Sequence, residues 1–276
     1  MEIKVYRPAN PTLKPFIECF YTLKRTPDEA SVKYVAFPSI FSMVCLNANT
    51  EIEFANNNLV FANSRTNTLE NTLICDFDYS GWIKYEGAAD EIVIYFKPLG
   101  LNAFLDKTLR SYVTSFFMRF EPYDDYKASM LEIFSVNDDE KRIEHLEDYW
   151  SSKLRGFDHP FLQNVVDKIM SEDFHGSISD LAARHGISRT TLIKHFDLHI
   201  CTTPSQFKKI VRFRDAMKRH RNKIADQNLS GISHDADYFD QSHMIKDFKS
   251  LTKLSPKSFF SQISKIEDGQ INWLFL

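Results

Sequence analysis

The feature that most constrains the fold is a weak internal repeat in the second half of the chain. The first copy runs Ile178–Phe196 and the second runs Leu229–Phe248. In each copy a short amphipathic segment is followed by a turn, and then by a segment whose apolar residues lie four apart. The two copies predict two small helical units in this part of the chain.

The first copy has the sequence signals of two helices joined by a tight turn. An apolar face over Ile178–Ala182 predicts the first helix, and Gly186 ends it because a left-handed residue turns the chain sharply. Ser188 is placed to cap a second helix whose buried face is formed by Leu192 and Phe196. This is the spacing of a helix-turn-helix, whose second helix enters a DNA major groove. An ordinary helical hairpin with a solvated polar face is the alternative interpretation of this copy alone.

The second copy repeats these signals with different residues. Leu229 and Ile232 form its first apolar face, Asp240 caps its second helix, and Met244 and Phe248 repeat the buried pair. Two ordinary helical hairpins without a common function would not be expected to share these equivalent positions.

The outward side of the second helix in each copy carries residues that can contact DNA. Arginine and lysine bind guanine edges or phosphates, and apolar side chains meet the thymine methyl group. Lys194 and Lys246 both stand two residues before the closing phenylalanine of their copy. The first of these helices offers Arg189, Thr190, Ile193, Lys194 and His195.

A basic helix is predicted between the copies. Thr203 and Pro204 start it, and it reaches about Asn222. At 1.5 Å per residue it is roughly 28 Å long, and successive major grooves on one face of DNA lie about 34 Å apart. We therefore expect it to hold two reading helices in adjacent grooves, with its positive charges near phosphates. Those charges are Lys208, Lys209, Arg212, Arg214, Lys218, Arg219, Arg221 and Lys223.

The order and spacing of these elements resemble the AraC/XylS family of transcription regulators across about 161–263. The resemblance implies two helix-turn-helix units on one DNA face, base contacts by both second helices, and phosphate contacts by Lys208, Lys209, Arg212 and Lys249. The implied base-reading residues are Thr190, Ile193 and Lys194, then Gln241, Ser242, Ile245 and Lys246. The resemblance is carried by Ile178–Phe196, Thr203–Phe207, Arg212–Arg214 with Ala216, Tyr238–His243, Lys246–Lys249 and Leu254–Pro256.

The second unit departs from the family pattern at its turn. Asp237 stands where the family usually has glycine, and Ser233 where it usually has alanine. Aspartate enters the left-handed region at a cost. We expect the second unit to position the protein more than to specify sequence.

The first hundred residues predict a β-rich domain. Apolar and β-branched runs over Val32–Leu46, Leu59–Phe61 and Glu91–Phe96 predict short strands of a sandwich or small barrel. Pro98 predicts a helix over Leu99–Asp106, and two more helices are expected over Tyr123–Phe134 and Asp138–Leu154.

These N-terminal residues also resemble the sensory domain of one branch of the same family. The likeness implies a cupin-like β-barrel with trailing helices, which offers a site for a small effector or for dimerisation. The fold expected for the whole chain is therefore α+β, with the β-domain followed by an all-α domain. The likeness is carried by Arg7–Pro8, Leu13–Phe20 and Tyr95–Gly100.

The charge distribution favours a division near residue 155. Residues 1–155 hold 17 Lys and Arg against 23 Asp and Glu, whereas residues 156–276 hold 17 against 14. A basic half joined to an acidic half suggests that only one of them faces a polyanion. We expect an effector-sensing or dimerisation domain over 1–155, a linker at Arg155–Asp158, and a DNA-binding domain over 156–276.

Several other classes of protein are disfavoured. Only His145 precedes residue 155, so a histidine-ligated catalytic metal in the barrel is not expected. His195 and His199 lie four apart but lack an HExxH context, which favours a DNA-facing or solvated role. Cys201 near basic residues is the one feature that a DNA-repair enzyme would use. We expect no catalytic residue, no metal and no cofactor.

The expected function is control of transcription from promoter DNA. Double-stranded DNA and RNA polymerase are the expected partners, with a small effector or a second copy of the chain acting through the N-terminal domain. A degenerate regulator that acts through protein contacts is the alternative. No apolar run is long enough to span a membrane and the N-terminus lacks a signal peptide, which predicts a cytoplasmic protein.

Overall fold

The computed structural model has a β-rich N-terminal part and a mainly helical C-terminal part, which confirms the predicted α+β class. It describes residues 1–55, 58–64, 68–75, 80–115, 117–171, 174, 176–221, 238, 240–262 and 274–275.

The strands of the described residues form two sheets. One has the order β1-β2-β9-β4-β7-β10 and is antiparallel throughout, and the other has the order β11-β3-β8-β6-β5. In the second sheet β6 and β8 are parallel and the remaining pairs are antiparallel. The strands are β1 (Glu2–Tyr6), β2 (Ile17–Arg25), β3 (Val32–Ala36), β4 (Ser42–Ala48), β5 (Thr50–Ala55), β6 (Asn58–Asn63), β7 (Leu69–Ile74), β8 (Gly81–Glu86), β9 (Ala89–Phe96), β10 (Phe117–Arg119) and β11 (Leu274–Phe275).

Among the described residues, two helices follow the sheets and six belong to the C-terminal part. The predicted helices near Tyr123–Phe134 and Asp138–Leu154 are confirmed as α1 (Tyr126–Ser135) and α2 (Asp139–Ser152). The remaining helices of the described residues are α3 (Leu162–Met170), α4 (Ile178–Arg184), α5 (Arg189–Ile200), α6 (Pro204–Arg221), α7 (Gln241–Thr252) and α8 (Pro256–Gln262).

The two sheets face each other as a sandwich. Tyr21, Tyr34 and Tyr85 belong to an apolar and aromatic cluster that joins their inner faces. Glu91 is also buried there, where the Tyr21 hydroxyl donates to its Oε1 at 3.0 Å and the Tyr85 hydroxyl donates to its Oε2. Burial raises the pKa of this carboxyl group to about 7. The outer face of the six-stranded sheet packs against α1 and α2 around Trp150.

The prediction of a helix over Leu99–Asp106 is wrong. Leu99 has φ 66°, and only a short 3-10 helix over Gly100–Ala103 follows it. The Lys97 amide donates to the carbonyl of Phe16 at 2.8 Å, and a Cβ on Gly100 would lie 2.1 Å from that carbonyl oxygen. The chain therefore turns closely around Phe16, which an α-helix beginning at Pro98 would prevent.

Besides its helices, the C-terminal part contributes one short strand, which the sequence did not predict. Leu274 and Phe275 form β11, which pairs with Val35 and Tyr34 of β3 at the edge of the five-stranded sheet. Residues 274–275 thus extend the five-stranded sheet of the N-terminal sandwich.

Cys19, Cys45, Cys75 and Cys201 are all buried and reduced. Among the described residues, none of the helices has the length and apolar character needed to cross a membrane.

Candidate nucleic-acid interface

The first predicted helix-turn-helix is confirmed as α4, a turn and α5. Ser177 caps α4 by accepting from the Asp180 amide at 3.1 Å, and the Asp180 carboxylate accepts from the Ser177 amide at 3.2 Å. Gly186 has φ 66° in the turn. Ser188 then caps α5 by accepting from the Thr191 amide at 3.0 Å. The start of α5 has the capping residue that the sequence predicted, Ser188, and the start of α4 has a capping box that was not predicted.

The second helix of the second unit is also confirmed. Asp240 caps α7 by accepting from the His243 amide at 2.6 Å. The predicted first helix of this unit, with Leu229, Ile232, Ser233 and Asp237, lies outside the described residues.

The structural match between the two units extends further than the repeat recognised in the sequence. The segment from α5 to the start of α6 corresponds, position for position, to the segment from α7 to the start of α8. Both α5 and α7 have 12 residues, and both end at a left-handed residue, with φ 62° and 63°. The next helix then starts at a proline in each case. The equivalent pairs are Ser188 and Asp240, Leu192 and Met244, Phe196 and Phe248, Cys201 and Lys253, and Pro204 and Pro256.

Each reading helix exposes the same two side chains. Ile193 and Ile245 are equivalent and are exposed to nearly the same degree, 36% and 37%. Each is followed by an exposed lysine, Lys194 or Lys246. The predicted residues Arg189, Thr190, Gln241, Ser242 and Lys249 are exposed as well.

His195 differs from the other predicted base-reading residues. It is half-buried, and its Nδ1 lies 3.0 Å from Nε2 of His159, in the segment before α3. Its ring also contacts Phe161, with 5.1 Å between the centroids. The side chain therefore packs against the segment before α3 rather than joining the exposed stripe of Ile193 and Lys194.

The predicted phosphate contacts on α6 are engaged within the protein. Arg212 donates to Asp247 of α7 at 2.9 Å, and the two side chains are only 15% and 9% exposed. Lys208 donates to the carbonyl of Gly176 at 3.1 Å and lies 4.6 Å from the centre of the Phe174 ring. Lys209 is half-buried near Ser250. These cations hold α6 against its neighbours, whereas Lys249 is exposed.

For Arg214, the expectation of a charge near phosphate is wrong. Its guanidinium donates to the carbonyl of Pro38 at 2.6 Å and to that of Phe37 at 2.9 Å, both in the N-terminal part. Burial lowers the pKa of Arg214 to about 10. The residue fastens α6 to the loop after β3, and no local sequence signal distinguishes it from the other arginines of α6.

Two sets of contacts attach the helical part to the sandwich. Phe37 is buried among the rings of Phe213 and Phe259, with 4.8 Å between its centroid and that of Phe259. At the end of α5, Arg110 donates to Asp197 at 2.5 Å and to the carbonyl of Cys201 at 3.0 Å. These contacts connect α5, α6 and α8 to the N-terminal part, and sequence analysis identified neither of them.

Comparison with known proteins gives the following matches. The family described as "Helix-turn-helix domain" matches residues 181–262, from the middle of α4 to the end of α8. A crystal structure of ToxT from Vibrio cholerae O395 is similar at 10% identity and a TM-score of 0.42, over 88% of this chain and 97% of that one. A 1.65 Å structure of ToxT from Vibrio cholerae is similar at 11% identity and a TM-score of 0.43, over 94% and 97%. No curated protein sequence matches the chain.

The matched residues include both reading helices and the long helix between them. They begin at Leu181 in α4 and contain the turn at Gly186, the caps Ser188 and Asp240, and all of α6. The matched family is a family of DNA-binding helix-turn-helix domains. Residues 181–262 are therefore a helix-turn-helix domain of the AraC type.

Proposed function

We propose that the chain is a sequence-specific DNA-binding transcription regulator whose two reading helices enter adjacent major grooves of one duplex. The observation that supports this most directly is the matched exposure of an isoleucine and a lysine on α5 and α7. An exposed isoleucine next to a lysine suits a groove that presents thymine methyl groups and guanine acceptors together. The 18 residues of α6 span about 27 Å at 1.5 Å per residue, which is compatible with the separation of neighbouring grooves.

Within this proposal the residues have graded roles. Arg189, Thr190, Ile193 and Lys194 contact base edges from α5, and Gln241, Ser242, Ile245 and Lys246 do so from α7. Lys249 contacts phosphate, because it is exposed one turn further along α7. Lys208, Lys209 and Arg212 contribute positive potential to the same face, while their direct bonds hold the helices together.

Regulation is proposed to come from a small molecule in the cleft between the sandwich and α3. The cleft has a volume of about 460 Å³ and is lined by residues of both parts, including Phe16, Lys97, Gln163 and Met170. Ligand sites commonly have this size and lie between domains. A ligand there touches the sandwich and the first helix before the reading unit, so its binding shifts how the DNA-binding part is held. Promoter binding then recruits RNA polymerase, and self-association through the N-terminal part remains part of the proposal.

The DNA-binding proposal is tested by titrating fluorescent DNA fragments, selected from a random pool, at two salt concentrations. We expect Lys194→Ala to weaken binding by about ten-fold or more, because a good base contact contributes about 1–3 kcal/mol. Lys249→Ala is expected to lower the affinity less and to reduce the slope of the salt dependence by about one, because Lys249 is the lysine proposed to contact phosphate.

The matched control is Lys107→Ala, which removes one exposed lysine from the N-terminal part. If Lys194→Ala binds DNA no more weakly than this control, α5 is not the reading helix. If wild-type protein selects no sequence from the pool, the proposal of a sequence-specific regulator is wrong.

The cleft is tested by calorimetry against a metabolite library with wild type and Met170→Trp. Met170 lines the cleft and is 40% exposed, so a larger side chain should fill part of it. Leu131→Trp on α1 is the matched control, since Leu131 is 39% exposed. A ligand whose affinity is the same in Met170→Trp and wild type does not occupy the cleft.

A further inference from the structure

We propose that His159, His195 and His199 bind one Zn²⁺ ion where the first reading helix meets the segment between the two parts of the chain. One possible ligand atom from each side chain lies within 4.8 Å of those of the other two, and all three residues are half-buried. Imidazole nitrogen is a preferred ligand of zinc. The sequence had suggested a DNA-facing or solvated role for the two helical histidines, because they lack an HExxH context.

The fold brings the three rings together from two elements. His195 and His199 lie four residues apart on α5, so they share one face of that helix. His159 comes from the segment just before α3 and reaches the same face. Phe161 packs edge-on against His159 at 4.6 Å, and Phe157 lies 5.2 Å from His199. These rings restrict the imidazoles to a small region.

A second layer of contacts orients His199 for a metal. Its Nδ1 lies 3.2 Å from Oδ1 of Asn102, and the Asn102 amide group donates to the carbonyl of His199 at 2.8 Å. Because that amide nitrogen is engaged, Oδ1 faces the ring as an acceptor and His199 donates from Nδ1. Its Nε2 then carries the lone pair, which is the arrangement that second-layer carbonyl groups commonly impose on metal-binding histidines.

His159 and His195 present the closest pair of nitrogens, with Nε2 and Nδ1 3.0 Å apart. Without a metal, one proton is shared between these two atoms. The Leu162 amide donates to His159 Nδ1 at 3.3 Å. When Nε2 binds an ion, the ring proton of His159 moves to Nδ1 and this long hydrogen bond is given up.

The distances allow tetrahedral coordination after small side-chain rotations. Zn–N bonds of 2.0–2.1 Å place two tetrahedral nitrogens about 3.3 Å apart. The His159–His195 pair is already near that value, and the widest pair has to approach by about 1.5 Å at most. Burial lowers the pKa of His159 and, to about 4, that of His199, so both rings are neutral at pH 7 and can bind a cation. Three protein ligands leave the fourth position open to water or another small ligand.

The position of the site gives the ion a mechanical effect. His195 lies one residue after Lys194 on the reading helix, and Asn102 belongs to the N-terminal part. A bound ion would therefore join α5, the segment before α3 and, through Asn102, the sandwich. We expect it to raise the thermal stability of the chain and to change its DNA affinity.

The test uses the full chain after removal of metals with a chelator. Calorimetric titration with ZnCl₂ is expected to give one ion per chain, and Co²⁺ is expected to give the visible absorption bands of tetrahedral nitrogen coordination. His159→Ala and His199→Ala should each weaken Zn²⁺ binding about ten-fold or more. His185→Ala is the matched control, because His185 is half-buried near Phe161 but lies outside the three-histidine group.

The outcomes separate the alternatives. The proposal is overturned if wild type binds no ion, if the Co²⁺ spectrum shows thiolate bands from the cysteines, or if His159→Ala and His199→Ala bind as tightly as wild type. His199→Gln, with its circular dichroism spectrum, replaces His199→Ala if that variant does not fold. Zinc binding that persists in Lys194→Ala while DNA binding falls keeps this inference separate from the DNA-binding proposal.

Discussion

The interior of the β-sandwich and the junction between the two parts of the chain both enclose polar groups, but in different ways. Inside the sandwich, Glu91 is fully enclosed and each carboxylate oxygen accepts from a tyrosine hydroxyl. At the junction, the half-buried Arg214 donates to the backbone carbonyls of Pro38 and Phe37, whereas Arg110 and Asp197 are 34% and 52% exposed. In the interior, both oxygens of Glu91 are paired inside the protein. The junction instead combines the buried Phe37, which packs near α6, with the exposed Arg110–Asp197 ion pair at the end of α5.

This difference suggests which attachment is the easier to release. Exposed ion pairs contribute little because water and salt screen them, whereas a buried aromatic residue contributes several kcal/mol. The ion pair at α5 can therefore open at lower cost than the anchor at Phe37. Three experiments compare the two regions.

The largest effect is expected for Phe37→Ala. Removing a fully buried phenylalanine typically lowers the free energy of unfolding by about 3–5 kcal/mol, and here it also leaves a cavity between Phe213 and Phe259. Urea unfolding followed by circular dichroism measures the change. Phe54→Ala on β5 is the control, since Phe54 is 38% exposed. Equal losses in the two variants would mean that Phe37 does not anchor the junction.

The next effect concerns the pH dependence of stability in Glu91→Gln. The folded pKa of Glu91 is about 7, above the ordinary value of 4.5, so the folded state binds more protons than the unfolded state between these values. The contribution of this group is fully present below pH 4.5 and is lost as pH rises through about 7. At 1.36 kcal/mol per pKa unit, the loss is on the order of 3 kcal/mol.

Glu91→Gln is expected to remove that slope. The measurement is the difference in unfolding free energy between variant and wild type at about pH 5 and about pH 8, because contributions from other groups cancel in the difference. Glu86→Gln, at an exposed glutamate of β8, serves as the control. A slope that persists in Glu91→Gln would show that the network around this carboxyl is not closed.

The smallest effect is expected for the Arg110–Asp197 pair. A double-mutant cycle with Arg110→Ala and Asp197→Ala isolates the pair from the additional bond of Arg110 to the carbonyl of Cys201. We expect a coupling free energy of about 0.2–1 kcal/mol that decreases with added salt. A coupling of about 2 kcal/mol or more, insensitive to salt, would make this attachment as firm as the anchor at Phe37.

Much of the helical part could be predicted because its signals are local. Ser188 and Asp240 cap helices from their own sequence positions, and Pro204 starts α6 without any distant contact. The exposed positions Ile193 and Lys194 followed from helical periodicity once Leu192 and Phe196 had been assigned to the core. The candidate DNA-contacting residues were therefore predictable where their exposure depends on the periodicity of a single helix.

The remaining features depend on contacts between distant segments. Strand β2 was not predicted because it is buried on both faces, so the alternation that usually marks a strand is absent. The roles of Arg214 and Phe37 require the sandwich to meet α6, and the three histidines require the segment before α3 to meet α5. Nothing in the spacing of these residues along the chain shows that they are neighbours.

The close match between α5 and α7 has a consequence for the DNA that the protein binds. The two helices share their length, caps and Ile-Lys pair, but Arg189 begins one where Gln241 begins the other. Arginine favours guanine and glutamine favours adenine, so under the proposed function a single chain reads two similar half-sites that are not interchangeable. A site of this kind has a direction, and one bound molecule is thereby oriented toward one end of the promoter without needing a second copy.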